Sequence, residues 1–266
     1  MNLIPPWAIH LKKSRREKLL GKEVLYLDSL DSTNRRAREE ALRGAPEGLV
    51  VIADSQSQGR GRMGRSWSSP AGVNLYLSIL LRPPLPPDRA PQLTLLAGVS
   101  CARAIRRITG LEARLKWPND IFICGKKAAG ILAEMEGEIS RLQFVILGIG
   151  INVNWEAQNI PAELRETATS LRAEAGREID RDTLADETLE DLERDYALFR
   201  EEGFSEKNRE EWNRLSLVNG KRVTLTFLDH KISGKIKELD RDGALLFVDQ
   251  EGNTRRFMAG DVSLRI

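Results

Sequence analysis

Three arginines, Arg60, Arg62 and Arg65, alternate with three glycines, Gly59, Gly61 and Gly64, in the run DSQSQGRGRMGRSW at 54–67, which ends on Trp67. Glycine loses more backbone entropy on ordering than any other residue and packs nothing, so this run is predicted to be a loop. Guanidinium groups and exposed N–H donors at that density suit an anion, and glycine-rich backbone is a recurrent phosphate cradle. Residues 59–64 also match G-x-G-x-x-G after an apolar stretch, LVVIA at 49–53. A dinucleotide fingerprint must then open a helix, whereas RSWSSPAG at 65–72 has no 3.6-residue apolar period and contains Pro70 and Gly72. The Rossmann reading is therefore rejected. An RGG-type nucleic-acid tail is set aside too, because such tails lie in long low-complexity tracts and this run is flanked by apolar strands.

The other chemistry-bearing residues stand at the ends of predicted elements, where loops carry function on a rigid scaffold. A strand at 24–27 leads to Ser32, Thr33 and Asn34, which supply helix-capping groups before RRAREEALRG and could also hold a polar ligand over that helix start. Gln56 opens the arginine loop. A half-buried strand is expected at 73–79, a stiff proline loop at 83–87, and a core-facing helix at 93–108 stopped by Gly110, with Cys101 as inert packing. In LKWPND at 115–120, Pro118 forces Trp117 into an extended conformation and leaves Asn119 and Asp120 at a strand edge. Residues 121–132 read as a hairpin whose return strand begins at Lys127. The stretch LQFVILGIGINV at 142–153 reads as a further strand, and Gly148 and Gly150 inside it mark the close approach of a ligand or another backbone; Asn152 follows them.

An amphipathic helix is predicted from Asp182 to near Gly203, then a short helix containing Trp212. Beyond Asn219-Gly220 the pattern changes to short strands with turns at Asp242-Gly243 and Gly252-Asn253, so 217–266 is expected to form a small β-barrel appended to an α/β body at 23–216. The basic run KKSRREKLLGK at 12–22 reads as a solvated helix face or linker in an N-terminal extension, 1–22.

Composition narrows the classes. In 266 residues, 41 Lys+Arg against 39 Asp+Glu give a net charge of +2, so nothing global favours DNA wrapping or an anionic membrane. Two distant cysteines and two histidines, His10 and His230, argue against a zinc or redox cluster and fit a reduced cytosolic compartment. There is neither a secretory signal pattern nor the run of ~18 uncharged apolar residues that a membrane span needs. A soluble, cytoplasmic protein is expected.

Taken together, STN at 32–34, QxxGRGRxGRxW at 56–67, KWPND followed by GKKAAGIL, and GIGIN resemble the catalytic domain of biotin protein ligases in order and spacing. The resemblance covers about 23–266. It implies an α+β fold, a mixed sheet with packed helices like that of class II synthetases, followed by a C-terminal SH3-like barrel. It also implies a two-step ligase: biotin and MgATP give biotinyl-5'-AMP and pyrophosphate, and a lysine of a biotin carboxyl carrier domain then takes the biotin. By the same resemblance Lys127 and Arg62 are catalytic. Ser32, Thr33, Asn34, Gln56, Arg60, Gly61, Arg62, Lys127, Gly148 and Gly150 bind biotin. Gly59, Arg60, Arg62, Arg65, Trp67, Asn119, Asp120, Asn152 and Arg265 hold ATP and the adenylate, with Trp67 packing on adenine. Mg2+ travels with ATP, and no protein-only metal site is expected. Only 22 residues precede the body, so a monofunctional enzyme without a DNA-binding domain is expected; a homodimer stays open. A lipoate or other acyl-carrier ligase of similar fold is the nearest rival, and a nucleic-acid module using the arginine loop is a more distant one.

Overall fold

The computed structural model describes residues 6–138, 141–227 and 230–264. Seven strands, β1 (Val24–Leu30), β2 (Val50–Gln56), β3 (Leu75–Leu81), β4 (Arg114–Lys116), β5 (Asp120–Ile123), β6 (Lys126–Glu138) and β7 (Arg141–Ile151), form one sheet in the order β1-β2-β3-β7-β6-β5-β4. Only β1 and β2 run parallel. The other neighbours are antiparallel. Every residue of β3 is buried, as a central strand covered on both faces requires.

Helix α2 (Thr33–Leu42) covers one face, with Ala37 and Ala41 against Val51, Leu80 and Ile146. Helices α3 (Pro91–Thr109) and α5 (Arg181–Glu202) cover the other, with the shorter helices α1 (Pro6–Ser14), α4 (Leu171–Ala175) and α6 (Glu206–Leu215) around them. Gly110 ends α3 at φ 75°, donating its N–H to Arg106 O as a left-handed cap does. Cys101 is fully buried, and that burial pushes its thiol up to about 12, consistent with a packing role. No helix among the described residues is long and apolar enough to cross a membrane.

The basic run departs from expectation. It is not simply a solvated face: Leu11 and Leu20 enter the main core, and the Arg15 guanidinium is buried. Arg15 Nη1 lies 2.8 Å from Glu190 Oε2, its Nε donates to Leu20 O at 3.0 Å, and its Nη2 pairs with Glu193. Glu193 also accepts from the backbone of Leu19 and Leu20. A charge run looks solvated in sequence because its partners, more than 170 residues away, are invisible there. Arg15→Ala is expected to cost about 2–4 kcal/mol, since it leaves carboxylates facing one another without their cation. Urea unfolding measures this, and a loss below about 1 kcal/mol would mean that α1 docks through Leu11 and Leu20 alone.

Beyond α6, β8 (Arg222–Phe227), β9 (His230–Leu239), β10 (Leu245–Asp249), β11 (Thr254–Phe257) and β12 (Asp261–Leu264) make an antiparallel sheet in the order β11-β10-β9-β8-β12. Val223, Leu225, Ile236, Phe247 and Val262 fill its core, and Phe247 meets Phe257 edge-on at 5.9 Å. The α+β body and the small all-β unit are both as expected. They are tied together by Leu217 N–H donating to Leu115 O at 2.7 Å and Gln92 Nε2 donating to Asp242 O at 2.9 Å.

Candidate functional site

The polar segments that the sequence leaves far apart converge on one cavity between the sheet, the arginine loop and the β-unit. It is about 120 Å³ in this arrangement. Its wall includes Ser32, Thr33 and Asn34 from the start of α2, Gln56 from the end of β2, Lys127 and Gly130 from β6, and Gly148 and Gly150 from β7. Asn119 and Asp120 from the turn into β5, and Arg60, Gly61, Arg62, Arg65 and Trp67 from the loop, complete it.

The floor is a chain of side-chain hydrogen bonds. Ser32 stands at the N-cap of α2 but makes no side-chain cap bond, contrary to the capping expectation. Gln56 does that work from another strand: its Oε1 accepts from Thr33 N at 2.8 Å and Thr33 Oγ1 at 3.1 Å. Ser78 Oγ lies 2.8 Å from Thr33 Oγ1 and donates to Asn34 Oδ1 at 2.6 Å, and Asn34 Nδ2 donates to Glu134 Oε2 at 2.8 Å. The two β7 glycines admit side chains where close approach of a ligand or backbone was expected. A Cβ on Gly148 would stand 2.0 Å from Asn34 Oδ1, and one on Gly150 would stand 2.8 Å from the Trp67 ring. Trp67 thus lies on a glycine platform, with Lys127 Nζ 5.2 Å from its ring centroid and its own indole N–H buried without a partner.

The arginine loop folds back on itself through Gly61 N–H to Arg65 O at 2.7 Å and Trp67 N–H to Gly59 O at 2.8 Å. A single 3-10 turn, Arg62–Gly64, sits at its tip, with Met63 and Gly64 at φ 55° and 73°. Each arginine meets an acceptor from elsewhere in the chain. Arg60 Nη1 lies 3.1 Å from Glu134 Oε1. Arg62 Nη1 reaches Asn119 Oδ1 at 3.3 Å and Asp261 Oδ1 at 3.4 Å, and Arg65 Nη2 lies 2.5 Å from Asp261 Oδ2. Lys127 Nζ sits 2.6 Å from Asp120 Oδ1, while the Lys127 backbone is fixed by Thr167 O and Thr169 N. Nearby, burial lowers the Lys116 ammonium below its ordinary range.

Two expected residues fall elsewhere. Gly59 is not in the cavity wall; it lies beneath the loop, where a Cβ would stand 2.3 Å from Trp67 O. Asn152 is also behind the wall, its Nδ2 donating to Thr169 O at 2.9 Å, but its Oδ1 is buried and without a partner. Arg265 lies outside the described residues. Conversely, Ser78, Glu134 and Asp261 were missed. Each is a polar residue of a strand, with no local motif to separate it from a solvated position. No group of three or more His, Cys, Asp or Glu that could hold a metal occurs among the described residues.

Residues 26–152 match the family model described as "Biotin/lipoate A/B protein ligase family", and 219–265 match "Biotin protein ligase C terminal domain". The bifunctional ligase/repressor BirA of Bacillus subtilis is 39% identical over 94% of this chain and 76% of its own length. The biotin--[acetyl-CoA-carboxylase] ligase of Mycobacterium tuberculosis is 32% identical over 94% of both chains. A solved structure of biotin protein ligase from Aquifex aeolicus in complex with biotin and ATP superimposes with a TM-score of 0.79 at 34% identity, covering 92% of this chain and 99% of that one.

Proposed function

Because the chain belongs to the biotin/lipoate A/B protein ligase family, we propose that it activates biotin with ATP and transfers it to a lysine of a biotin carboxyl carrier domain. The observation that carries this reading is the set of three cations, Arg60, Arg62 and Lys127, arranged around one cavity whose wall includes Gly148 and Gly150.

In the first step a biotin carboxylate oxygen attacks the α-phosphorus of ATP; an O–P bond forms and the bond to the bridging oxygen of pyrophosphate breaks. Two anions must approach, so fixed cations neutralise the encounter and the charge that grows on the leaving group. Lys127 and Arg62 take those roles. In the second step the acceptor amine attacks the acyl carbon, AMP leaves and the amine loses a proton. The polar floor of Ser32, Thr33, Asn34 and Gln56, with Arg60, Gly61 and the Gly148 and Gly150 wall, suits biotin. Arg65, Trp67, Asn119 and Asp120 suit the nucleotide, and the unpartnered Trp67 N–H, on the cavity wall, is a group of the kind a nucleotide base could engage. The pocket carboxylates, Asp120 and Asp261, are each held by a cation, which fits a Mg2+ that arrives with the triphosphate better than a resident ion. Mg2+ supplies charge neutralisation on the phosphates. We take 23–216 as the catalytic unit and 217–266 as a barrel that completes its rim. A cytoplasmic setting is part of the same proposal.

A cavity of about 120 Å³ is below the ~300 Å³ of ordinary ligand pockets. The loop must therefore open to load, and its arginines must exchange Glu134 and Asp261 for ligand oxygens on closure. Arg62→Gly is expected to raise the release rate of biotinyl-AMP several-fold or more, read as biotinylation of bystander amines; an unchanged release rate would rule out the loop as a lid. Biotin-dependent ATP–pyrophosphate exchange, followed by weighing a carrier domain after incubation with biotin and MgATP, tests the whole reading. Exchange with lipoate alone would overturn it.

A further inference from the structure

The connection from β2 to β3, residues 57–74, is tied down on both sides of its tip. On the first side Ser57 N–H donates to Leu30 O and Gln58 N–H to Asp31 O, both at 2.9 Å. On the second, Ser69 O accepts from Gln56 N–H at 3.3 Å and Pro70 O from Tyr76 Oη at 3.1 Å. Between these ties lies 59–67, the stretch that carries Arg60, Arg62, Arg65 and Trp67 over the cavity. One carboxylate closes the base of the whole connection. Asp54 Oδ2 accepts from Gly72 N–H at 2.8 Å, across 18 positions of the chain, and Asp54 Oδ1 accepts from Arg181 Nη1 at 3.0 Å.

Arg181 is the first residue of α5, where a cation opposes the positive end of the helix dipole. The helix gains nothing from it there, and its contacts point away from the helix: Nη1 also donates to Asn74 O at 3.1 Å, and the side chain is only 16% exposed. The same ground is knit to the end of β7. Val153 N–H donates to Asn74 Oδ1 at 2.8 Å and Asn154 N–H to Val73 O at 2.7 Å, while the Asn154 amide donates to Ile179 O at 2.8 Å and accepts from Ile179 N–H at 2.9 Å. The base of the arginine loop is therefore registered against the strand that carries Gly148 and Gly150. That register matters at the tip, because Trp67 packs where a Cβ on Gly150 would stand 2.8 Å from its ring.

We propose that Asp54 and Arg181 are positioning residues for the activation step, a clamp at the base of the arginine loop that sets where its tip closes. The inference rests on the ligase reading and on the loop as a lid. Neither side chain is part of the cavity wall, so both act through the loop. A tip hinged on a fixed base has few residues to order as it closes. Releasing the base adds residues whose backbone must be fixed at each closure, with a loss of closed population of about tenfold per residue. It also frees Trp67 and the arginines to close off register, and a misplacement of about 1 Å caused by a remote substitution can cost up to ~100-fold in rate.

The test is Asp54→Ala and Arg181→Gln in the full chain, with biotin-dependent exchange, biotinyl-AMP release and trypsin cleavage after Arg60, Arg62 and Arg65 measured on the same samples. Expected is a fall of about tenfold in kcat for exchange while KM for biotin stays within about threefold, because the floor of Ser32, Thr33 and Asn34 is untouched. Release should quicken about fivefold or more, and loop cleavage in the presence of biotin and MgATP should quicken with it. Arg181→Lys keeps a cation for Asp54 and should recover part of kcat. The double variant should be little worse than either single one, as for two halves of one contact. Asp54→Asn keeps an acceptor for Gly72 N–H and loses only the ion pair, so it decides the matter if the alanine variant does not fold. Exchange and release within about twofold of wild type in both Asp54→Asn and Arg181→Gln overturn the proposal. So does a fall in kcat with loop cleavage unchanged, which marks a general loss of fold. Absence of exchange in the wild-type protein would instead sink the ligase reading itself.

Discussion

Lys127→Ala lowers biotin-dependent ATP–pyrophosphate exchange about 10²–10³-fold, the usual loss when one fixed electrostatic donor is removed from a developing charge. Little else should change. The backbone of Lys127 is held by Thr167 and Thr169 through bonds that alanine retains, and leaving the buried Asp120 Oδ1 without its cation costs about 1–3 kcal/mol. The variant therefore folds, and the effect falls on kcat of the first half-reaction more than on biotin affinity, because the charge matters most where two anions meet. Lys127→Arg keeps the charge but replaces a compact ammonium with a planar fork, and should recover only part of the rate. Exchange within about tenfold of wild type in Lys127→Ala would move the chemistry to Arg62 or to Lys116, whose ammonium burial already destabilises.

The sequence carried the site further than it carried the energetics. Lys127, Arg62, Trp67 and the Asn119-Asp120 turn lie at breaks in periodicity, where glycine or proline marks the end of an element, while their roles came from the resemblance to biotin protein ligases. α3 and α5 were readable for the complementary reason, an apolar period running to a glycine stop. What stayed hidden was pairing across distance. Nothing local distinguishes Glu134 from the acids around it, or Asp261 from a turn residue some 200 positions after the loop it restrains. Arg15 was misread for the same cause. Asn152 and Gly59 show the converse: a motif position identifies a residue near the chemistry, but side-chain direction decides whether it lines the cavity, and direction depends on register.

Gly148→Ala is expected to cost about 2–4 kcal/mol, combining over-packing with broken buried hydrogen bonds, and to remove most biotin affinity. The new methyl would stand 2.0 Å from Asn34 Oδ1. Neither side can yield easily. Asn34 is buried and held by Ser78 and Glu134, and Gly148 sits in the middle of β7, opposite Ser78 on β3 and Leu132 on β6. Asn34→Ala in the same chain should restore much of the stability but not the affinity, a strongly non-additive pair. Gly150→Ala gives the contrast, because its methyl meets the Trp67 ring at 2.8 Å and Trp67 belongs to a loop that can shift. That variant should unfold near the wild-type midpoint while losing ligand retention. Thermal unfolding with and without biotin separates the two, and equal destabilisation by both substitutions would mean that the Trp67 loop is as rigid as the sheet beneath it.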